Sequence, residues 1–148
     1  MILKKGNMWD RFGKVDLFLF TSNPIVNKRG LAVMGRGIAK QVADRYPGVR
    51  RDFGTMLQEG IKYSCDQIGI YDDQAIGYFM VKLHWKDAAL LDVIRSSTAS
   101  LNEWLVGHFP PASVALNFPG IGNGRLRRED VLSIIEKLPD NVEVWEYE

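Results

Sequence analysis

The sequence predicts an α/β layered domain. Candidate strands and candidate helices interleave along the chain, and no repeat, low-complexity tract or linker interrupts them. The length of 148 residues is that of one ordinary domain, so residues 1–148 are expected to form a single unit. Hydrophobic residues make up 46% and charged residues 25%, a balance that supports a sizeable core without disulfides or metal.

The elements follow in order. Ile2 to Trp9 is a candidate first strand. Val15 to Phe20 is a short apolar run that suits a buried strand, and Thr21-Ser22-Asn23-Pro24 ends it in a turn. A helix is predicted from Gly37, with Ile38, Val42 and Tyr46 on one face, stopped by Pro47-Gly48. A second amphipathic helix is expected over Arg51 to Gln58, closed by Gly60. Gln67 to Tyr71 and Ile76 to Val81 read as paired strands around an Asp72-Asp73 turn. Asp87 is the expected N-cap of the longest helix, which carries Leu90, Leu91, Ile94, Leu101, Trp104 and Leu105 through to His108. Val114 to Phe118 is another buried-strand candidate. Glu129 and Asp130 suit the positive N-terminal end of a last helix carrying Val131, Ile134, Ile135 and Leu138. Val142 to Tyr147 alternates as a final strand.

The formal charge of +1 gives no whole-molecule field for nonspecific nucleic-acid binding, although Arg45, Arg50 and Arg51, and Arg125, Arg127 and Arg128, form local basic clusters. Cys65 stands alone, so no intrachain disulfide is available and a thiolate zinc site is not expected. His84 and His108 lie far apart without acidic partners at ligand spacing, so neither metal nor cofactor is expected; His108 suits the end of the long helix. No signal peptide and no membrane-spanning run is recognised, which makes a cytoplasmic protein with no membrane partner the expectation.

Two glycine loops stand out as carriers of chemistry. Met34-Gly35-Arg36-Gly37-Ile38-Ala39 runs into a helix, and Pro119-Gly120-Ile121-Gly122-Asn123-Gly124 follows a buried strand. Free amides in such loops, and at helix N-termini, hold anions, and two loops can grip a diphosphate from two sides. The dinucleotide fingerprint is not met, because Lys40 occupies the third glycine position. The P-loop pattern fails as well, since no Gly-Lys-Ser/Thr occurs.

Asn23, the stretch Val33 to Gln41 and the stretch Phe118 to Leu126 together resemble the macro domain family. The likeness runs from Lys5-Gly6 to the last strand. It is nearest to the small phage and bacterial macro proteins and to the lysine-dependent hydrolases that remove ADP-ribose from nucleic acid or glutamate. The resemblance implies a three-layer α/β/α fold with a mixed central sheet and a cleft for ADP-ribose or a derivative. It sets Gly35, Arg36, Gly37 and Ile38 along the diphosphate and distal ribose. It sets Pro119, Gly120, Ile121, Gly122, Asn123 and Gly124 over the phosphates. It also implies that Asn23 positions the distal ribose and that Lys82, within Val81-Lys82-Leu83-His84-Trp85, attacks the anomeric carbon or stabilises an opened sugar. Read from the residues alone, Asn23 is a turn residue before Pro24, and Lys82 is a solvated strand-end lysine. Trp145 and Tyr147 are candidates for stacking on adenine.

Three positions depart from the family pattern. Asn7 stands where the adenine-contacting aspartate is expected, Arg36 where another branch carries a water-positioning aspartate, and Asn123-Gly124 where glutamate-type hydrolases carry an acid. Three readings follow. The chain is an ADP-ribosyl hydrolase, acting on nucleic acid or a protein carboxylate, or a phosphatase of ADP-ribose 1″-phosphate. Alternatively it is a non-catalytic ADP-ribose-binding module, or an interaction protein with a degenerate cleft.

Overall fold

The computed structural model describes residues 1–59 and 67–147. Gly60 and Cys65 lie outside the described residues. The strands are β1 (Ile2–Lys5), β2 (Leu17–Ser22), β3 (Ile68–Tyr71), β4 (Gln74–Met80), β5 (Val114–Asn117) and β6 (Val142–Glu146). The helices are α1 (Gly37–Arg45), α2 (Val49–Glu59), α3 (Leu91–Val106) and α4 (Arg128–Ile135), with short 3-10 turns at Met8–Arg11 and Gly122–Gly124.

One sheet runs in the order β1-β6-β5-β2-β4-β3. All neighbours are parallel except β3, which returns antiparallel on β4. Asp72 and Asp73 make that return with φ of 49° and 63°, the left-handed pair that a tight hairpin requires. The sheet is therefore mixed, as expected.

The buried run of β2 explains the layering. Leu17 and Leu19 point into a core shared with Ile94, Leu101 and Leu105 of α3 and Val131, Ile134 and Ile135 of α4. Phe18 and Phe20 point the other way, into a core with Ile38 and Val42 of α1 and Val49, Phe53 and Leu57 of α2. A strand covered on both faces reads as continuously apolar rather than alternating. The result is three layers, α1 and α2, the sheet, then α3 and α4. No helix among the described residues is long and apolar enough to cross a membrane.

Several boundaries differ from the sequence expectation. The first strand stops at Lys5, because Asn7 caps a 3-10 turn instead, its Oδ1 accepting from the Trp9 N–H at 3.0 Å. Asp87 does not cap the long helix. That helix starts at Leu91 behind an extended Leu90 that supplies no side-chain cap, and it ends at Val106 rather than His108. The reason is tertiary. Ala89 donates its N–H to Gly124 O at 2.9 Å and Leu90 donates to Val81 O at 2.8 Å, which holds this segment out of the helix as a strap. His108 does sit against the helix end, with Nδ1 2.7 Å from Trp104 O.

Helix α2 supports the loop that precedes α1. A Cβ built on Gly54 would lie 2.0 Å from Gly30 O, so only glycine allows this approach. The contact is tied by Ala32 N–H to Arg50 O at 2.8 Å and by Arg50 Nε to Ala32 O at 2.8 Å. Gly54→Ala is therefore expected to destabilise the fold by about 1–3 kcal/mol, the usual cost of overpacking, read as an earlier midpoint in denaturant unfolding.

Candidate functional site

Strands β2, β4, β5 and β6 all end on one edge of the sheet, and a cavity of about 610 Å³ opens there, lined by Ser22, Val81, Asn117 and Glu146 among others. Ligands in open α/β sheets bind outside the carboxyl ends of the strands, and this volume is that of a small-molecule site.

Asn23 leaves the end of β2 and is only 7% exposed. Its Nδ2 donates to Val33 O at 3.1 Å and its Oδ1 accepts from the Ile25 N–H at 2.9 Å. These two bonds fix the amide in the cavity wall and tie it to the first glycine loop. One N–H and one lone pair of the amide remain beyond them.

The first loop brings Gly35, Arg36, Gly37 and Ile38 to the cavity. Arg36 is the N-cap of α1 but gives it no side-chain cap, so the first amides of the helix have no intrahelical or side-chain acceptor. Gly37 opens the helix at a φ of 57°, which favours glycine. Gly35 differs. Its φ is not left-handed and a Cβ there would meet nothing within 4 Å. Neither backbone conformation nor packing within the protein requires glycine at that position.

The second loop contributes Gly120, Ile121, Gly122, Asn123 and Gly124. It is closed on itself by Leu126 N–H to Gly120 O at 2.9 Å and Arg125 N–H to Gly122 O at 3.0 Å. Gly120 combines a φ of 80° with a Cβ position 2.7 Å from Ile94 Cδ1, so this glycine is structural. The strap through Ala89 holds Gly124 from behind.

Lys82 follows β4, is half-buried and lines the same cavity. Partial burial holds its amine below the ordinary lysine pKa, Arg36 and Arg125 push it the same way, and Asp87 opposes them. The loops thus surround one lysine with two guanidinium groups.

Two expected residues stand apart. Pro119 and Asn7 are not among the lining residues, and the Asn7 side chain is engaged at the 3-10 turn. Asn7 nonetheless follows Gly6, whose N–H bonds Glu146 O at 2.8 Å beside the cavity. Trp145 and Tyr147 do line it. Other lining residues are not singled out by the sequence. Thr21 and Asn117 form a floor pair, with Thr21 N–H to Asn117 Oδ1 at 3.0 Å and Asn117 Nδ2 to Thr21 Oγ1 at 2.8 Å. Trp85 stands at the rim, 39% exposed. The available signal for Asn117 was its place at the carboxyl end of a buried strand.

No protein-family model matches the chain. The chain is similar to the curated DNA ADP-ribosyl glycohydrolase of Mycobacterium tuberculosis, with 30% identity over an alignment that covers 87% of this chain and 39% of the relative. The chain therefore spans well under half the length of that protein. Among solved structures it resembles the macrodomain of Mycobacterium tuberculosis DarG, with a TM-score of 0.76 and 26% identity over 99% of this chain and 95% of the other. It also resembles the macrodomain of Thermus aquaticus DarG, with a TM-score of 0.75 and 25% identity over 99% and 97% of the two chains.

Proposed function

Because the chain belongs to the macro domain family, we propose that its cavity binds ADP-ribose and that Lys82 removes this group from ADP-ribosylated DNA. The observation that carries the reading is the sharing of one cavity by Lys82, Asn23 and both glycine loops. The curated relative named a DNA ADP-ribosyl glycohydrolase supports DNA as the source of the adduct.

In this reading the amides of both loops hold the diphosphate, and the free N–H and lone pair of Asn23 meet a ribose hydroxyl that both donates and accepts. The neutral amine of Lys82 attacks the anomeric carbon. The bond from that carbon to the base nitrogen breaks, its electron pair stays on the nitrogen, and the nitrogen takes a proton. Water then replaces the lysine. The net reaction consumes one water and yields ADP-ribose and the unmodified base.

The attacking form is the neutral amine, so a depressed pKa raises its fraction at any given pH below that pKa. Rate is expected to rise with pH and to level off below the ordinary lysine range. Arg36→Ala removes a cation that disfavours the ammonium form, so the rising limb should move to higher pH. An unmoved limb in single-turnover rates against pH would count against Lys82 as the titrating group.

The deciding assay incubates the protein with a DNA oligonucleotide carrying an ADP-ribosylated base and follows free ADP-ribose by mass spectrometry. Release by the wild-type protein is expected. Binding of ADP-ribose without release would favour a reader module instead, a reading supported by Arg36 and Asn123 standing in the loops where carboxylates act in related mechanisms.

A further inference from the structure

Val81 precedes Lys82 and is buried, and both of its backbone groups are bonded. Its N–H donates to Ser22 O at 3.1 Å, and its O accepts from the Leu90 N–H at 2.8 Å. The neighbouring Ala89 donates its N–H to Gly124 O at 2.9 Å. On the other side, Ser22 continues into Asn23, whose Nδ2 donates to Val33 O at 3.1 Å. One run of chain and hydrogen bonds therefore leads from the first glycine loop, past Lys82, to the second.

Ala89 also packs against the second loop. It is buried, and a Cβ built on Gly120 or Gly124 would lie 3.4 or 3.0 Å from its methyl carbon. Those glycines leave room for the methyl group. Arg125 adds a contact from the loop to the same turn, with Nη2 donating to Lys86 O at 3.5 Å. The Leu90–Val81 bond thus closes the turn that carries Lys82, and Ala89 fastens that turn to the second glycine loop.

Ala89 and Leu90 do not line the cavity, so they can act on a ligand only through Lys82 and Gly124. The distal ribose is tethered to the diphosphate, so a loop that grips the diphosphate also sets where the anomeric carbon lies. From this placement we infer that Ala89 and Leu90 are positioning residues, which hold the Lys82 amine in register with a diphosphate seated on the second loop. This role rests on the reading of Lys82 as the reacting amine. Reaction rate is far more sensitive to such a register than binding is, since a displacement of about 1 Å costs on the order of 100-fold.

Two changes test it separately. Replacing Leu90 by the corresponding α-hydroxy acid exchanges its N–H for an ester oxygen and removes the bond to Val81 O. Ala89→Gly keeps both strap amides and removes the methyl group from the second loop. Each should lower the single-turnover rate on an ADP-ribosylated oligonucleotide by about 10- to 100-fold. The Kd for ADP-ribose, measured by calorimetry, should change by less than about threefold. Ala89→Ser restores a small side chain and should recover most of the rate. In the ester variant the rising limb of rate against pH should also move to higher pH, because a loosened Lys82 escapes the burial and the two guanidinium groups that hold its pKa down. Variants that melt earlier but keep the wild-type rate and pH limb would overturn the inference. So would a rate and an affinity that fall together, which would mean that the strap serves binding alone. If Lys82→Ala keeps the wild-type rate, the reading of Lys82 falls and takes this role with it.

Discussion

Lys82→Ala is expected to lower turnover of an ADP-ribosylated oligonucleotide on the order of 10³-fold or more, while ADP-ribose still binds. Lys82 is half-buried in the cavity, and its amine is shifted toward the neutral form by burial and by Arg36 and Arg125. Few other lining groups offer a nucleophile. Arg36 is a permanent cation, and Asn23, Asn117 and Asn123 are amides. Glu146 is engaged by Arg128, whose Nε and Nη2 lie 3.0 and 2.8 Å from its carboxylate oxygens. That pairing holds the Glu146 carboxyl below its usual range and keeps it charged rather than poised as an acid. Lys82→Arg separates two roles. It keeps a positive charge but cannot present a neutral amine, so it should be as inactive as Lys82→Ala if the amine attacks. Substantial activity in the arginine variant would assign Lys82 an electrostatic role instead.

Gly35→Val should weaken ADP-ribose binding by at least about 100-fold, on the order of 3 kcal/mol, with the melting temperature changed by less than about 2 °C. Gly120 is required by its φ and by the Ile94 side chain, and Gly54 by the backbone at Gly30. At Gly35, which lines the cavity, a Cβ would enter open space with no backbone strain. A side chain there would occupy volume meant for the ligand. A variant that loses stability rather than affinity would show that the position serves the fold. Circular dichroism melting and calorimetry on the same sample distinguish the two.

The fold was largely legible because each helix announces itself by spacing and each buried strand by its apolar run. What the pattern hides is which side chains face which layer. Leu17 to Phe20 look alike in sequence, yet alternate residues serve different cores. The failure at Asp87 is instructive. Local chemistry favours an N-cap there, but the strap bonds of Ala89 to Gly124 and Leu90 to Val81 outweigh it. Those bonds join residues far apart in the chain, so a local reading does not contain them. The strap braces the second glycine loop, and the helix start is displaced next to the cavity.

The candidate site was legible where chemistry is concentrated in short segments. Both glycine loops, Asn23 and Lys82 are visible as motifs or by family resemblance, and all of them border one cavity apart from Pro119. The floor pair of Thr21 and Asn117 is separated by 96 positions, so the pairing itself is not contained in any local pattern, although Asn117 ends a buried strand. Asn7 is the opposite case. Family position sets it at a ligand contact, and the folded chain adds a local role, its Oδ1 accepting from the Trp9 N–H. Trp85 was visible only as part of the lysine segment, because exposure at a rim is a property of the folded chain.

The central claim is that this cavity is built for ADP-ribose. Isothermal titration of the wild-type protein with ADP-ribose tests it most directly. Saturable heat with one ligand per chain is expected, with much weaker binding of AMP, which lacks the diphosphate and distal ribose. No heat at millimolar ADP-ribose, from protein that melts cooperatively, would contradict it.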